Sequence, residues 1–304
     1  NIAFGLTALD SLDDSSPGGD NIALGNAALT ALTEGDHNIA IGSSAGVALT
    51  VGGKNIAIGH EALSTEDGNG ETVAIGYQAL KTQNAGASGL NVAVGYQAGT
   101  AVTTGVENTL IGASAGTALT TGKENVALGF DALTADTLGG RSVAIGDSAL
   151  KAQNFTTATN SYNTAVGMNA GASVTTGLFN TLIGGLTGDA LTDADYNVAV
   201  GQKSLGADTL GSRSTALGYA TLQNQNFTTA TDTFNTAVGA LAGGAVTTGV
   251  KNTLIGGLAG DALTDADYNV AVGHLALSAD TLGSRSIAMG VGALQSQNFT
   301  SATA

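Results

Sequence analysis

Along the whole chain, apolar residues alternate within a short motif, Asn-x-Ala-x-Gly, whose x positions are mostly Ile, Val, Leu or Thr. Examples are Asn1-Ile-Ala-Phe-Gly5, Asn38-Ile-Ala-Ile-Gly42, Asn91-Val-Ala-Val-Gly95 and Asn269-Val-Ala-Val-Gly273. The motif glycines fall at 5, 25, 42, 59, 76, 95, 112, 129, 146, 167, 184, 201, 218, 239, 256, 273 and 290, which makes seventeen copies. The usual step between them is that from Gly42 to Gly59. Four steps are longer, from Gly5 to Gly25, Gly76 to Gly95, Gly146 to Gly167 and Gly218 to Gly239, and each opens a group of four units. The repeat is nested: four blocks, 1–71, 72–141, 142–213 and 214–285, are followed by one further unit, 286–304. The segment Asp189 to Asn197 recurs unchanged as Asp261 to Asn269.

A period of two with Val, Ile and Thr at the x positions reads as strand. A helix would carry two or three Gly per unit, each costing about 1 kcal/mol relative to Ala. The motif predicts a strand of about five residues, and its Gly permits a turn with positive φ. A second extended piece, such as Thr117-Ala-Leu-Thr-Thr121, and a return turn at Gly122 complete the unit. Each unit is then one coil of a parallel β-roll or β-solenoid, an all-β repeat fold continuous over 1–304. At one strand spacing per coil, the seventeen coils predict a rod roughly 80 Å long.

Within the motif the two x side chains point one way and Ala the other. The pattern is read with the x residues filling the roll and Ala facing outward, as Ala in all coils but three, which carry Leu110, Leu182 and Leu254. So long an apolar stripe on a monomer's surface implies packing on sister chains around a common axis. One Asn per coil at one corner predicts a hydrogen-bonded amide ladder. Thr72, Ser142, Ser214 and Ser286 interrupt it once per block.

Composition narrows the function. Apolar residues make up 43 % of the chain but aromatics only 4 %, with 46 Gly and one Pro. Burial must therefore come in thin layers of small side chains. A net charge of −15 argues against nucleic acid, which needs a basic face, and against anionic membrane surfaces. Without Cys there are no disulfides or thiolate metal sites. No apolar run approaches the ~20 residues of a membrane span. The chain opens on its repeat with neither an initiator Met nor a signal peptide, and a fragment of a longer fibre, or a processed product, is expected.

The motif, followed by x-x-Ala at a fixed offset, resembles the head repeats of trimeric autotransporter adhesins. Gly76-Tyr-Gln-Ala79 and Asn91-Val-Ala-Val-Gly95-Tyr-Gln-Ala98 are similar to related repeats of phage tail fibres. The resemblance covers essentially the whole chain, although this coil is longer than that of the adhesin heads. It implies a left-handed parallel β-roll, a homotrimeric fibre and a role in surface attachment. Ala40, Ala57, Ala93, Ala127 and Ala199 are then expected near the trimer axis.

Candidate contact residues lie in the longer steps. Gln153-Asn-Phe-Thr-Thr-Ala-Thr159 and its copies place Phe155, Phe227 and Phe299 at one repeat position in successive blocks. They read either as receptor-contact loops that stack on sugars or as rings folded back over the roll. Arg141, Arg213 and Arg285 share one repeat position after Asp-Thr-Leu-Gly and suit an ion pair within or between chains. Thr192-Asp-Ala-Asp-Tyr196 and Thr264-Asp-Ala-Asp-Tyr268 could offer oxygens to Ca²⁺ but read better as solvated turns. His37, His60 and His274 have no metal-ligand spacing, and no nucleophile–His–acid pattern or phosphate loop stands out.

The leading expectation is an extracellular adhesive fibre, a virion tail fibre or a bacterial surface adhesin, with no cofactor and no catalytic role. Its partners would be further copies of itself and a cell-surface glycan or protein receptor. The alternatives are an ice- or crystal-binding solenoid, suggested by Thr103-Thr104, Thr120-Thr121, Thr175-Thr176 and Thr247-Thr248, a generic extracellular or surface-layer filament, and an enzyme carried on a β-helix.

Overall fold

A computed structural model of the chain describes residues 1–12, 18–68, 70–86 and 88–301. Its contacts divide the chain into two compact units, residues 1–148 with 153–160, and residues 149–152 with 161–304. Each unit is a parallel β-solenoid, in which a residue and its stacked equivalent are usually one coil, 17 positions, apart. Among the described residues the first carries nine strands of three residues, from Ile2–Phe4 to Val143–Ile145. The second carries eight, from Thr164–Val166 to Ile287–Met289, giving about one strand for each motif copy. Among the described residues there is no helix, and hence none long and apolar enough to cross a membrane.

Neighbouring strands pair in register, so like residues stack on like: Ile39 on Ile56, Ala40 on Ala57, Ile41 on Ile58. Register holds because each coil returns to the same corner, a motif glycine. Gly59 has φ +133°, and a Cβ there would sit 2.3 Å from the carbonyl oxygen of Gly76 in the next coil. Only glycine permits both that dihedral and that approach.

The expected second extended piece is absent. In residues 112–118 the chain runs through consecutive turns, with Ser114 at φ +59° and Gly116 at +56°. The interruption has a geometric cause. A short strand must be closed into a ring by the remaining residues, and left-handed residues at alternate positions, Ser114 and Gly116, bend the chain tightly while its N–H groups still point along the stack. Ala118 N–H donates to Thr134 O at 3.2 Å and Thr120 N–H to Thr137 O at 2.9 Å, so this side is also a ladder between coils.

The interior is thin and complementary in volume. Most coils place Ala on the strand and a Leu in the turn, as Ala57 with Leu63 and Ala74 with Leu80, all buried. Where the strand carries Leu110 the turns carry glycine: a Cβ on Gly99 or Gly116 would lie 2.7 or 2.8 Å from the Leu110 methyls. Leu182 and Leu254 fill the same space beside Gly171 and Gly188, and beside Gly243 and Gly260. Leu110→Ala is therefore expected to cost about 2–5 kcal/mol, because rigid glycine turns collapse poorly onto the void. Denaturant unfolding followed by circular dichroism measures it, and a cost below about 1 kcal/mol would contradict this packing.

The long steps add short pairings on a second edge. Residues 159–160 pair with 139–140 in the first unit, and 231–232 with 211–212 in the second.

Candidate functional site

The strand faces are the reverse of the sequence expectation. Ala40, Ala93, Ala127 and Ala199 are 0 % exposed and Ala57 1 % exposed within a single chain, so they line the coil interior and not an axis between chains. The reason is volume. Leucines from the turns already occupy the narrow lumen, and beneath the strand only a methyl group fits, except where glycine turns admit Leu110, Leu182 or Leu254. The Ile, Val, Leu and Thr at the x positions are turned outward instead.

Two columns of β-branched and other large side chains thus form the outer face of each sheet. In the column just before the motif glycine every residue is large and apolar, and Ile41, Leu128, Ile183 and Ile255 are 37 %, 42 %, 38 % and 39 % exposed. In the second unit the other column is rich in threonine: Thr164, Thr181, Thr215, Thr236 and Thr253. The Thr pairs singled out in the sequence are otherwise engaged. Thr103 and Thr120 donate to carbonyls of the next coil, at 3.2 and 3.0 Å, while Thr176 and Thr248 donate to Asp193 and Asp265.

One edge of this face is lined by the residue preceding the Asn, or the Ser or Thr in its place, held at positive φ in successive coils. In the first unit it is mostly charged, and Arg141 lies 2.8 Å from Glu124, holding that carboxyl below its usual range. In the second unit Tyr162, Phe179 and Tyr196 stack at 5.6 and 5.0 Å. Arg213 follows, with its guanidinium over Tyr196 and Phe234 and its Nε 2.8 Å from Asp232. Arg285 sits over the Tyr268 ring, 5.6 Å from its centroid. Arg141 and Arg213 thus make their ion pairs within the chain, and for Arg285 a ring contact is seen instead. Such exposed pairs are screened by solvent and contribute little stability each.

The candidate receptor loops are folded back. Phe155 and Phe227 are only 5 % and 6 % exposed, and their backbone N–H groups are tied to the Asp136 and Asp208 carboxylates of the preceding coil. Phe299 makes the same bond to Asp280 but stays 41 % exposed, with no described coil stacked beyond it. Two buried rings offer nothing to a receptor. The loop around Pro17, and Thr303, lie outside the described residues.

The Asn ladder runs as expected: Asn108 and Asn125 donate Nδ2 to the Oδ1 of the preceding Asn at 3.2 and 3.1 Å, and Asn180 and Asn252 do so at 3.3 Å. A backbone bond adds to it: the Asn Oδ1 accepts the N–H of the equivalent residue in the next coil, as Asn21 from Asn38 at 2.9 Å, and Nδ2 also donates across the coil, as Asn38 to Gly52 O at 2.9 Å. Sequence reading missed how the ladder survives its interruptions. Gln225 Nε2 donates to Ser214 Oγ at 2.8 Å and to the buried Asp208, while its Oε1 accepts from Asn235 Nδ2 at 2.8 Å. Gln83 does the same with Thr72, Glu66 and Asn91. Gln153 and Gln297 bridge Ser142 to Asp136 and Ser286 to Asp280. Each Gln thus splices an inserted loop into the ladder. The readable signal was an acid one coil before every such Gln: Glu66, Asp136, Asp208 and Asp280. Burial pushes the Asp136 carboxyl above its usual range, against the opposing pull of the Gln153, Gly139 and Phe155 N–H donors.

The remaining candidates do not converge. Asp193 and Asp195 reach separate groups of the preceding coil, Thr176 Oγ1 and Leu178 N–H, and Asp265 and Asp267 behave alike. His60 lies tilted against Tyr77, His37 lies near Asp36 and Asp20, and His274 contacts Gly257 O. Among the described residues no group of three or more His, Cys, Asp or Glu is placed to hold a metal ion. No protein family, no curated protein and no solved structure matches this chain.

Proposed function

We propose that this chain is a subunit of an extracellular adhesive fibre, a tail fibre or a surface adhesin, which assembles as a trimer through its outer sheet face and attaches to a cell surface. The observation that carries the reading is the unbroken apolar column of that face, from Leu24 to Ile145 in the first unit and from Val166 to Val272 in the second. An acidic chain that leaves so long a column partly exposed has a strong drive to cover it. Identical parallel chains do so with the same residues on each copy, closing a ring about the long axis. Tyr and Arg at the edge of the face suit an interface rim. Nothing in the site favours catalysis.

Light scattering at micromolar concentration tests the assembly: a trimer is expected, and a monodisperse monomer would overturn it. Leu217→Lys, on the outer face, is expected to leave the β-sheet circular dichroism intact while shifting the mass to that of a monomer. An unchanged trimer would remove this face from the interface.

The threonine column of the second unit favours one competing reading, an ice- or crystal-binding face that stays monomeric. Thermal hysteresis measured on a monomeric chain would support it over the fibre.

A further inference from the structure

We infer that the surface corner around Ala113 is a binding slot for one neutral pyranose unit of a glycan, an inference that deepens the attachment reading and takes its biological meaning from it. The corner is formed by the residue following each motif glycine. In three consecutive coils of the first unit it carries His60, Tyr77 and Tyr96, whose ring centroids lie 5.5 and 5.3 Å apart, the first pair tilted by 30° and the second stacked within 8° of parallel. The next coil carries only Ala113, and the coil after that Phe130. Tyr96 and Phe130 are each 54 % exposed. The aromatic column is therefore interrupted by a gap whose floor is a single methyl group.

Two strand spacings separate the coils of Tyr96 and Phe130, about 9.6 Å. A ring in contact with side chains on both of its faces at ~4.0–4.5 Å needs about 8–9 Å. A puckered saturated sugar ring meets that, whereas a flat aromatic group, at ~3.5 Å per face, would sit loosely. The chemistry agrees with the width. An aromatic face carries negative electrostatic potential, which suits the electropositive C–H groups of a pyranose face. Polar groups lie one residue on from walls and floor: Gln97, whose Nε2 donates to Gln78 Oε1 at 3.1 Å, Ser114 and Asp131. They suit the hydroxyls of a sugar. The acidic chain, with Asp131 and Asp147 at this corner, selects a neutral glycan over a sulfated or uronic one.

The slot can be closed without harming the fold. Ala113→Tyr places a ring between Tyr96 and Phe130 and extends the stack already present at Tyr77 and Tyr96. The full chain is titrated with three neutral hexasaccharides, an α-glucan, a β-galactan and an α-mannan, and read by saturation transfer from the Tyr and Phe ring protons. At least one should show transfer, Phe130→Ala should weaken its binding about tenfold, and Ala113→Tyr should abolish it with melting temperature kept or raised. Should Ala113→Tyr fail to fold, Phe130→Ala alone decides. No transfer to any of the three, or undiminished binding in the variants, overturns the slot. Cell attachment of labelled chain is scored alongside. Attachment kept by Ala113→Tyr while no glycan signal appears removes the slot and leaves the adhesive reading standing. A glycan signal without attachment of the parent chain removes only the adhesive reading.

Discussion

Ala199→Arg is expected to unfold the coils around it and not merely to separate the chains of an assembly. Ala199 is fully buried within one chain and stacks in register between Leu182 and Ala216. A long side chain there must displace neighbours that have no slack, a cost of about 1–3 kcal/mol. Its charge would also be buried without a partner, which costs several kcal/mol more. The sum is comparable to the ~5–15 kcal/mol that stabilises an ordinary domain. Loss should be centred on the second unit, because a coil is stabilised chiefly by its immediate neighbours. Amide hydrogen exchange over residues 181–217 measures it, with Leu217→Lys as the contrasting variant, expected to keep protection and lose only assembly. Full protection in Ala199→Arg would mean that the strand presents its alanine outward after all.

The second large effect is expected from Gln225→Leu. This substitution removes three hydrogen bonds at once, to Asp208, to Ser214 and from Asn235. Leucine has a similar volume, so the loss is polar. The Asp208 carboxylate is fully buried and keeps only the N–H groups of Gly211 and Phe227. Leaving a buried charge partly unsatisfied, together with two neutral groups, is expected to cost roughly 3–5 kcal/mol. Exchange protection should fall at Ser214, Thr233 and Asn235 and recover within a coil or two on either side. An exposed Gln elsewhere, such as Gln202→Leu, serves as control and should change stability by less than about 0.5 kcal/mol. Equal stability of Gln225→Leu and the parent chain would show that the inserted loops are held by their own backbone pairing and not by the amide splice.

Both expectations reach beyond what the repeat pattern alone conveyed. The period, the parallel in-register stacking, the glycine corner and the Asn ladder were legible because each depends on residues recurring at a fixed step, and stacking in register turns such recurrence directly into contact. The coil closure was less legible. A run such as Thr117-Ala-Leu-Thr-Thr121 has the composition of a strand, yet it follows a chain of turns whose left-handed residues, Ser114 among them, leave no trace in side-chain type. The Gln splices were written as an acid and an amide one coil apart. They look like loop residues until the loop is seen to lie across the preceding coil, and the same geometry buries Phe155 and Phe227.

The strand faces mark the division most clearly. Asn-Ile-Ala-Ile-Gly is enough to place Ile and Ala on opposite sides, since the strand period is two. Both sides are apolar, so polarity could not say which is inside. That choice is made by volume in the folded coil: the turns bring Leu63, Leu80 and their equivalents into the lumen, what remains beneath the strand admits a methyl group, and the larger side chains are left outside on the face that calls for a partner.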